Sequence, residues 1–369
     1  LKVVHIVEAL EGGVYTYFKD LSAFFGDEKN SKSIETTIIY SSNRNGVSVQ
    51  KVNAEFSNGV KLINLNMLRE ISLFQDYKAV LELRLELKKI NPDIIHLHSS
   101  KAGVLGRIAA FLLFKKVKIF YTPHGYAFLR TDISKTTKKL YYAIEKSFQW
   151  FFGGTIIACG DTEFEIAKKI GPAKLIRNGV NISDIYQHFI PQHNTKLTIG
   201  ILGRITAARN PQLFNEIALR FPQFNFIWIG DGELNHLITA PNVTITGWIL
   251  DKRVVFEKLN SIDIYLQTSL WEGLPIAVLE AMVLEKPVIA TNIIGNKDIV
   301  VPNKTGFLFN KIDELENYFE VLNTFETRVK FGKSALKRCY DFFDENENFK
   351  KLAALYQEQF FAEANSLKK

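Results

Sequence analysis

The sequence predicts an α/β protein of two Rossmann-like domains, each a parallel sheet covered by helices, within 369 residues. Three observations predict it. Short apolar runs alternate with longer stretches of helical apolar spacing, the pattern of consecutive βαβ units. The alternation stops in a polar, irregular stretch at 176–194 and restarts at 197. Glycine-bearing loops follow several of the strand-like runs, where open parallel sheets bind ligands beyond the carboxyl ends of their strands. The domains are set at 1–190 and 191–345, with a C-terminal helix at about 346–369.

The elements follow in order. Residues 3–7 read as a buried strand and 14–25 as a helix, with Gly12-Gly13 between them. A strand at 36–40 is followed by a polar, loop-like stretch at 43–58. Residues 73–90 carry helical spacing and stop before Asn91-Pro92, since proline disfavours a helical residue ahead of it. Then come strand 94–97, helix 101–114, strand 118–121, helix 138–150, strand 155–158 and helix 162–170. In the second half, strands are expected at 197–202, 225–229, 243–246, 262–266, 287–290 and 306–308. Helices are expected at 210–220, at 275–284 and, with interruptions, over 311–368. Two such sheets facing one another make a cleft that suits a small-molecule ligand.

The composition is that of an ordinary globular protein, 47% hydrophobic and 23% charged. Cys159 and Cys339 lie in no C-x-x-C pair, which argues against a disulfide framework or a zinc site and for a reducing, cytoplasmic setting. No segment looks like a leader peptide, since 3–7 reads as a strand, and no uncharged apolar run of about 18 residues suggests a membrane span. The net charge of +7 is concentrated, with ten Lys and Arg against two acids between 101 and 150. Lys115, Lys116 and Lys118 follow the apolar run 108–114, and Lys135, Lys138 and Lys139 form a second group. Basic groups beside apolar side chains suit an anionic lipid surface at the inner face of a membrane; a solvated helix end is the plain alternative. No nucleic-acid-binding module is visible.

Several motifs can carry chemistry. In Glu272-Gly-Leu-Pro-Ile-Ala-Val-Leu-Glu280, Gly273 allows a tight turn, Pro275 suits a first helical turn, and the free N–H groups there suit a diphosphate. Glu272 and Glu280 can accept hydrogen bonds from two sets of sugar hydroxyls; a capped surface helix with incidental acids is the alternative. Gly203-Arg204 to Arg209-Asn210-Pro211 puts two arginines in the loop before a helix, where they can clamp a diphosphate. Gly12-Gly13 lacks the full G-x-G-x-x-G fingerprint, so a nicotinamide cofactor is not indicated. His124-Gly125 follows a strand end. His96 and His98 share one strand face but lack a further ligand, so a structural role is expected for both. Ser99 is a fair helix cap and Lys101 lies beside the free N–H groups; together they can hold an acceptor phosphate, or simply cap the helix.

Taken in order, Gly12-Gly13, His124-Gly125, Asn178-Gly179-Val180, Gly203-Arg204 to Arg209, Gly230-Asp231-Gly232 and Glu272 to Glu280 resemble the retaining GT-B glycosyltransferases of family 4. The resemblance implies a GT-B fold with an acceptor-binding N-terminal domain, a donor-binding C-terminal domain, and a final helix that crosses back onto the first. It implies a nucleotide-sugar donor, UDP before GDP, and no metal or other cofactor. Glu280 is expected on the donor ribose and Glu272 on the transferred sugar, with Gly273, Leu274 and Pro275 beside it. Arg204 and Arg209, next to Gly203, are expected on the diphosphate, although many relatives have Lys where Arg209 stands. His124 is expected near the reacting sugar, Gly13 near the diphosphate or acceptor, and Gly12, Ser99 and Lys101 on the acceptor side. The segment 92–107 resembles the branch that builds capsular polysaccharide and O-antigen on lipid-diphosphate-linked sugars. An inactive glycan-binding protein and a nucleotide-sugar hydrolase or epimerase are the alternatives on the same fold.

Overall fold

The computed structural model describes residues 1–8, 10–31, 33–43, 47–68, 70–115, 117–191, 194 and 196–366. The chain forms two compact units. One is Leu1–Asn178 together with the chain from Glu345 onward; the other is Gly179–Asp344.

The first unit holds seven strands: β1 (Lys2–Val7), β2 (Glu35–Tyr40), β3 (Lys61–Asn64), β4 (Ile94–His98), β5 (Lys118–Thr122), β6 (Thr155–Ala158) and β7 (Ala173–Leu175). Their order is β3-β2-β1-β4-β5-β6-β7, with every pair parallel. The second unit holds β8 (Thr198–Leu202), β9 (Asn225–Ile229), β10 (Val243–Ile245), β11 (Ile264–Gln267), β12 (Val288–Thr291) and β13 (Gly306–Phe309). Their order is β10-β9-β8-β11-β12-β13, again all parallel. Helices cover both faces of such sheets, so the central strands are buried throughout rather than alternating. All five residues of β4 and all four of β11 are buried.

Both sheets reverse direction once, at β1/β4 and at β8/β11. At a reversal the following loops diverge to opposite faces and leave a crevice, which is where ligands bind in open α/β sheets. In the first unit this places the loop at Gly12 beside the one at Ser99. In the second it places the loop 203–210 beside the loop 268–275.

The first sheet lies between two cores. Against one face, Val3 and Val7 pack with Phe18, Leu21, Phe24 and Phe25 of helix Gly13–Gly26 and with Phe349, Leu352 and Tyr356 of the C-terminal helix Glu345–Ser366. The positions 349, 352 and 356 form one helical stripe, which is why a helix distant in sequence completes this core. The other face packs helices Leu73–Ile90 and Ser99–Phe111 through residues such as Leu83, Leu87, Leu105 and Ala109.

The structure departs from the sequence reading in particulars. The division between units falls at Asn178–Gly179, not at 190. Helix Ile182–Tyr186 is the reason: Ile182 and Ile185 are buried, Tyr186 donates to Glu285 at 3.2 Å, and Val180 N–H donates to Phe343 O at 2.9 Å. The stretch expected as loop at 43–58 holds helix Val49–Glu55, capped by Ser48, with Val52 its one buried residue. A single buried position leaves no apolar period to read. Strands β3 and β7 are edge strands that lack a full buried face, and they escaped for the same reason.

Leu352→Ala should destabilise the protein by about 2–5 kcal/mol in urea unfolding, because Leu352 is buried among aromatic rings that cannot close the gap. Lys350→Ala, exposed on the same helix, should change stability by no more than about 0.5 kcal/mol.

Candidate functional site

In the second unit the loop after β8 is bound to the loop after β11. Leu270 N–H donates to Ala208 O at 2.8 Å, and Thr268 Oγ1 donates to Arg209 O at 2.7 Å. Gly203, at φ 136°, lies under the Arg209 guanidinium; a β-carbon there would meet it at 3.2–3.3 Å. The Arg209 Nη1 lies 3.2 Å from Glu272 Oε1. That same oxygen accepts from Gln267 Nε2 at 3.0 Å and Ser269 Oγ at 2.8 Å. Tyr265 holds Gln267 in turn, donating to its Oε1 at 3.2 Å. Among the described residues every hydrogen bond of the Glu272 carboxylate thus falls on Oε1, leaving Oε2 for a ligand. Arg209 Nη1 is buried and, among the described residues, makes no hydrogen bond beyond the ion pair. Burial alone lowers the Arg209 pKa, but Glu272, Tyr265 and Glu280 outweigh it, and the guanidinium lies above its ordinary value.

Helix Ile276–Val283 opens at this cluster with no side-chain cap and no acid in its first turn. Pro275 occupies the capping position rather than the expected first turn, so the free N–H groups begin at Ile276. Leu274 is buried beneath, and Glu280 stands one turn into the helix, close enough for its charge to act on Arg209. Arg204 is exposed on the β8 loop. Gly203, Arg209, Glu272, Gly273 and Glu280 are therefore brought together at the reversal. Sequence reasoning missed the residues that orient Glu272, namely Gln267, Ser269 and Tyr265. Polar residues closing an apolar strand just before Glu272 were the available signal.

In the first unit Gly12 has φ 57° and precedes helix Gly13–Gly26, which starts with neither a side-chain cap nor an acid in its first turn. Ser99 is not the expected cap. His98 occupies that position, and Ser99 begins the helix at φ 69°. Lys101 is not left for a phosphate, because its Nζ pairs with Asp76 at 2.6 Å and donates to Glu70 O at 2.8 Å. This ties helix Ser99–Phe111 to helix Leu73–Ile90.

His124 follows β5 at φ 53°, in a conformation few non-glycine residues adopt. Glu163 holds the turn. One of its oxygens accepts from Gly125 N–H at 2.8 Å, and the other from Cys159 N–H at 2.8 Å. One buried carboxylate thereby joins the loops after β5 and β6. The His124 ring contacts His98 through Nε2, 3.0 Å from His98 Nδ1, and Tyr17 packs edge-on against it. His98 Nε2 lies 3.0 Å from His5 Nδ1. Sequence reasoning missed His5: the parallel register sets it opposite His96, and register is not written in either strand alone. The expectation that no further imidazole joins His96 and His98 is therefore corrected.

The basic window carries its apolar partners on the surface. Helix Lys135–Phe152 exposes Lys135, Lys139, Leu140, Lys146, Trp150 and Phe151, with Trp150 78% accessible. Phe114, 84% accessible, and Lys115 lie at the end of the preceding helical region. Lys138 and Lys118 are half-buried, and Lys116 lies outside the described residues. Leu73, Phe74 and Tyr77 add exposed apolar area on the neighbouring helix. Among the described residues no helix is long and apolar enough to cross a membrane.

Two Rossmann-like units, each with a polar cluster at its sheet reversal, are the GT-B architecture, and the chain is a glycosyltransferase. Its whole length superposes on solved structures of that fold. Sucrose-phosphate synthase from Thermosynechococcus elongatus aligns over 98% of this chain and 100% of its own, with a TM-score of 0.80 at 16% identity. The model for Glycosyltransferase Family 4 matches residues 12–184, and that for Glycosyl transferases group 1 matches 196–324. The UDP-Gal:alpha-D-GlcNAc-diphosphoundecaprenol alpha-1,3-galactosyltransferase of Escherichia coli is 30% identical over 69% of this chain and 72% of its own. The capsular polysaccharide biosynthesis glycosyltransferase CapM of Staphylococcus aureus is 26% identical over 79% and 83%. The chain belongs to glycosyltransferase family 4.

Glu163→Ala should leave the Gly125 and Cys159 amides without their acceptor. A loss of about 2–6 kcal/mol in urea unfolding is expected, from roughly 1–3 kcal/mol for each of the two orphaned groups. Faster amide exchange at Gly125 should accompany it.

Proposed function

We propose that the chain transfers a hexose or N-acetylhexosamine-type sugar, with retention of configuration, from a UDP-sugar to a lipid-diphosphate-linked glycan in the synthesis of a bacterial surface polysaccharide. The observation that carries this is the Arg209–Glu272 cluster beside an uncapped helix at the β8/β11 reversal. A half-buried cation, free helix N–H groups and a carboxylate oxygen with no partner among the described residues are the complement of a sugar joined to a diphosphate. The relative that uses UDP-Gal and a diphosphoundecaprenol-linked acceptor supports the choice of donor and acceptor class.

In this reading Arg209 and the exposed Arg204 receive the diphosphate and stabilise the charge that builds as it leaves. Glu280 accepts from the ribose, and Glu272 Oε2 accepts from hydroxyls of the transferred sugar. The acceptor hydroxyl attacks from the face of the departing diphosphate. Fixed positive charge in the protein does the work of a metal. The first unit receives the acceptor: Gly12 and Gly13 admit close approach, and His124 presents its ring to the reacting sugar. Lys101, already held by Asp76, has no part in it. The basic and aromatic surface around Lys139, Trp150 and Phe114 rests on an anionic bilayer, which brings the lipid-linked acceptor within reach.

A thermal-shift screen of UDP, GDP, ADP and dTDP tests the donor site. UDP at about 100 times its Kd should add roughly 2.7 kcal/mol, and Glu280→Ala should abolish the gain; stabilisation by none of the four in folded protein would overturn the reading. Arg209→Ala should lower turnover at least about tenfold, the effect of losing ~1.4 kcal/mol in the transition state. For the surface, Trp150→Ala with Phe151→Ala should weaken sedimentation with phosphatidylglycerol vesicles without altering UDP binding. Equal sedimentation of the variant and the parent would remove the membrane assignment.

A further inference from the structure

Three imidazoles form a hydrogen-bonded row across the first sheet. His5 on β1 and His98 on β4 are fully buried, and His124 lies half-buried just past β5. His5 Nδ1 lies 3.0 Å from His98 Nε2, and His98 Nδ1 lies 3.0 Å from His124 Nε2. A neutral imidazole donates from one nitrogen and accepts at the other. Because His98 uses both nitrogens in the row, its two links are coupled. The neutral row has two states, with the protons directed either all toward His124 or all toward His5.

The far end decides between them. His5 Nε2 is buried with no hydrogen-bond partner, beside the rings of Phe18 and Phe25. Protons directed toward His5 would place an N–H on that nitrogen, and a buried N–H without an acceptor is the rarer and costlier defect. Protons directed toward His124 leave only a lone pair there. His96 does not compete, since its nitrogens bond to Tyr356 OH at 2.5 Å and Thr122 Oγ1 at 2.8 Å.

From this geometry we infer that His5 and His98 are positioning residues that fix His124 in its Nδ1–H tautomer, so that it offers a hydrogen-bond donor to an oxygen of the bound sugar substrate. The Nδ1 of His124 has no partner in the chain among the described residues, which leaves its proton for a ligand. Burial holds the row neutral: it brings His5 and His124 down to about 3 and puts His98 well below the usual imidazole range. The tautomer is therefore fixed across the pH range in which an exposed histidine titrates.

The row also explains why these imidazoles are not read as a metal centre, although the nearest ring nitrogens of His5, His96 and His98 lie within 4.8 Å of one another. A metal takes one lone pair from each ligand. Both nitrogens of His96 and of His98 are already engaged, so an ion would have to break the hydrogen bonds that define the row.

The substrate contact rests on the proposed transferase reading; the tautomer does not. Long-range 1H–15N correlation spectra of 15N-histidine-labelled protein at pH 7 test the tautomer directly. His124, His98 and His5 should each show a protonated Nδ1 and a bare Nε2. His124 protonated at Nε2 would overturn the inference, whatever the activity. His98→Phe should return His124 to the tautomer mixture of an unlinked ring and lower kcat about tenfold with nucleotide affinity kept. His98→Gln can accept from His5 and donate to His124, so it should keep both the tautomer and most of kcat. An unchanged His124 signal in His98→Phe would also overturn the inference. If that variant does not fold, the parent spectrum decides alone. A confirmed tautomer with full turnover in His98→Phe would reject the substrate contact while leaving the row intact.

Discussion

A guanidinium taken out of water needs a counter-charge, and in the second unit that requirement organises the site. Arg209 is half-buried with its Nη1 wholly out of water, and Glu272 is its ion-pair partner. A buried charge is tolerated only when paired and hydrogen-bonded. Glu272 can serve because Gln267 and Ser269 fix one of its oxygens, and Tyr265 fixes Gln267. These holders come from β11 and the loop after it, whereas Arg209 comes from the loop after β8. The pair therefore locks the two loops where the sheet reverses, and the open helix end at Ile276 faces the same crevice. Positive charge concentrated in this way, next to unspent acceptors, favours a ligand with an anionic middle and hydroxyls on either side.

The first unit uses a different device. The middle of its sheet carries a buried polar line through His5, His96, His98 and Thr122. Each member costs desolvation, and hydrogen bonds along the line offset it except at His5 Nε2, with Tyr356 of the C-terminal helix closing one end at His96. That helix therefore completes a core and satisfies a buried polar group together. Glu163 performs a similar service outside the sheet by accepting two amides from consecutive strand-end loops. Unusual backbone conformations at Ser99 and His124 sit where these supports converge. Strain of that kind persists only where surroundings over-determine it, and it gathers at functional sites.

Much of this was legible in the sequence. The alternating elements gave the two parallel-sheet units because apolar strands and amphipathic helices have different periods. Arg209, Glu272 and Glu280 could be singled out because two arginines in one strand-to-helix loop and two carboxylates around the start of a second helix suit a sugar diphosphate, and because their order along the chain resembles family 4. What could not be read depends on pairing. His5 acquires meaning only when β1 lies beside β4, and Lys101 loses its apparent role only when Asp76 arrives from another helix. Helix Val49–Glu55 and the edge strands lack the two-sided burial that writes a pattern into a sequence. The early boundary at Asn178 likewise follows from Ile182 and Ile185 packing forward rather than back.

The central claim is that this cluster grips a diphosphate, and calorimetric titration of UDP, UMP and uridine tests it most directly. UDP should bind at least about tenfold more tightly than UMP, a difference of ~1.4 kcal/mol for the second phosphate. Arg209→Met should remove most of that difference while leaving the affinity for uridine unchanged. Equal affinity for UDP and UMP in the parent protein would contradict the account.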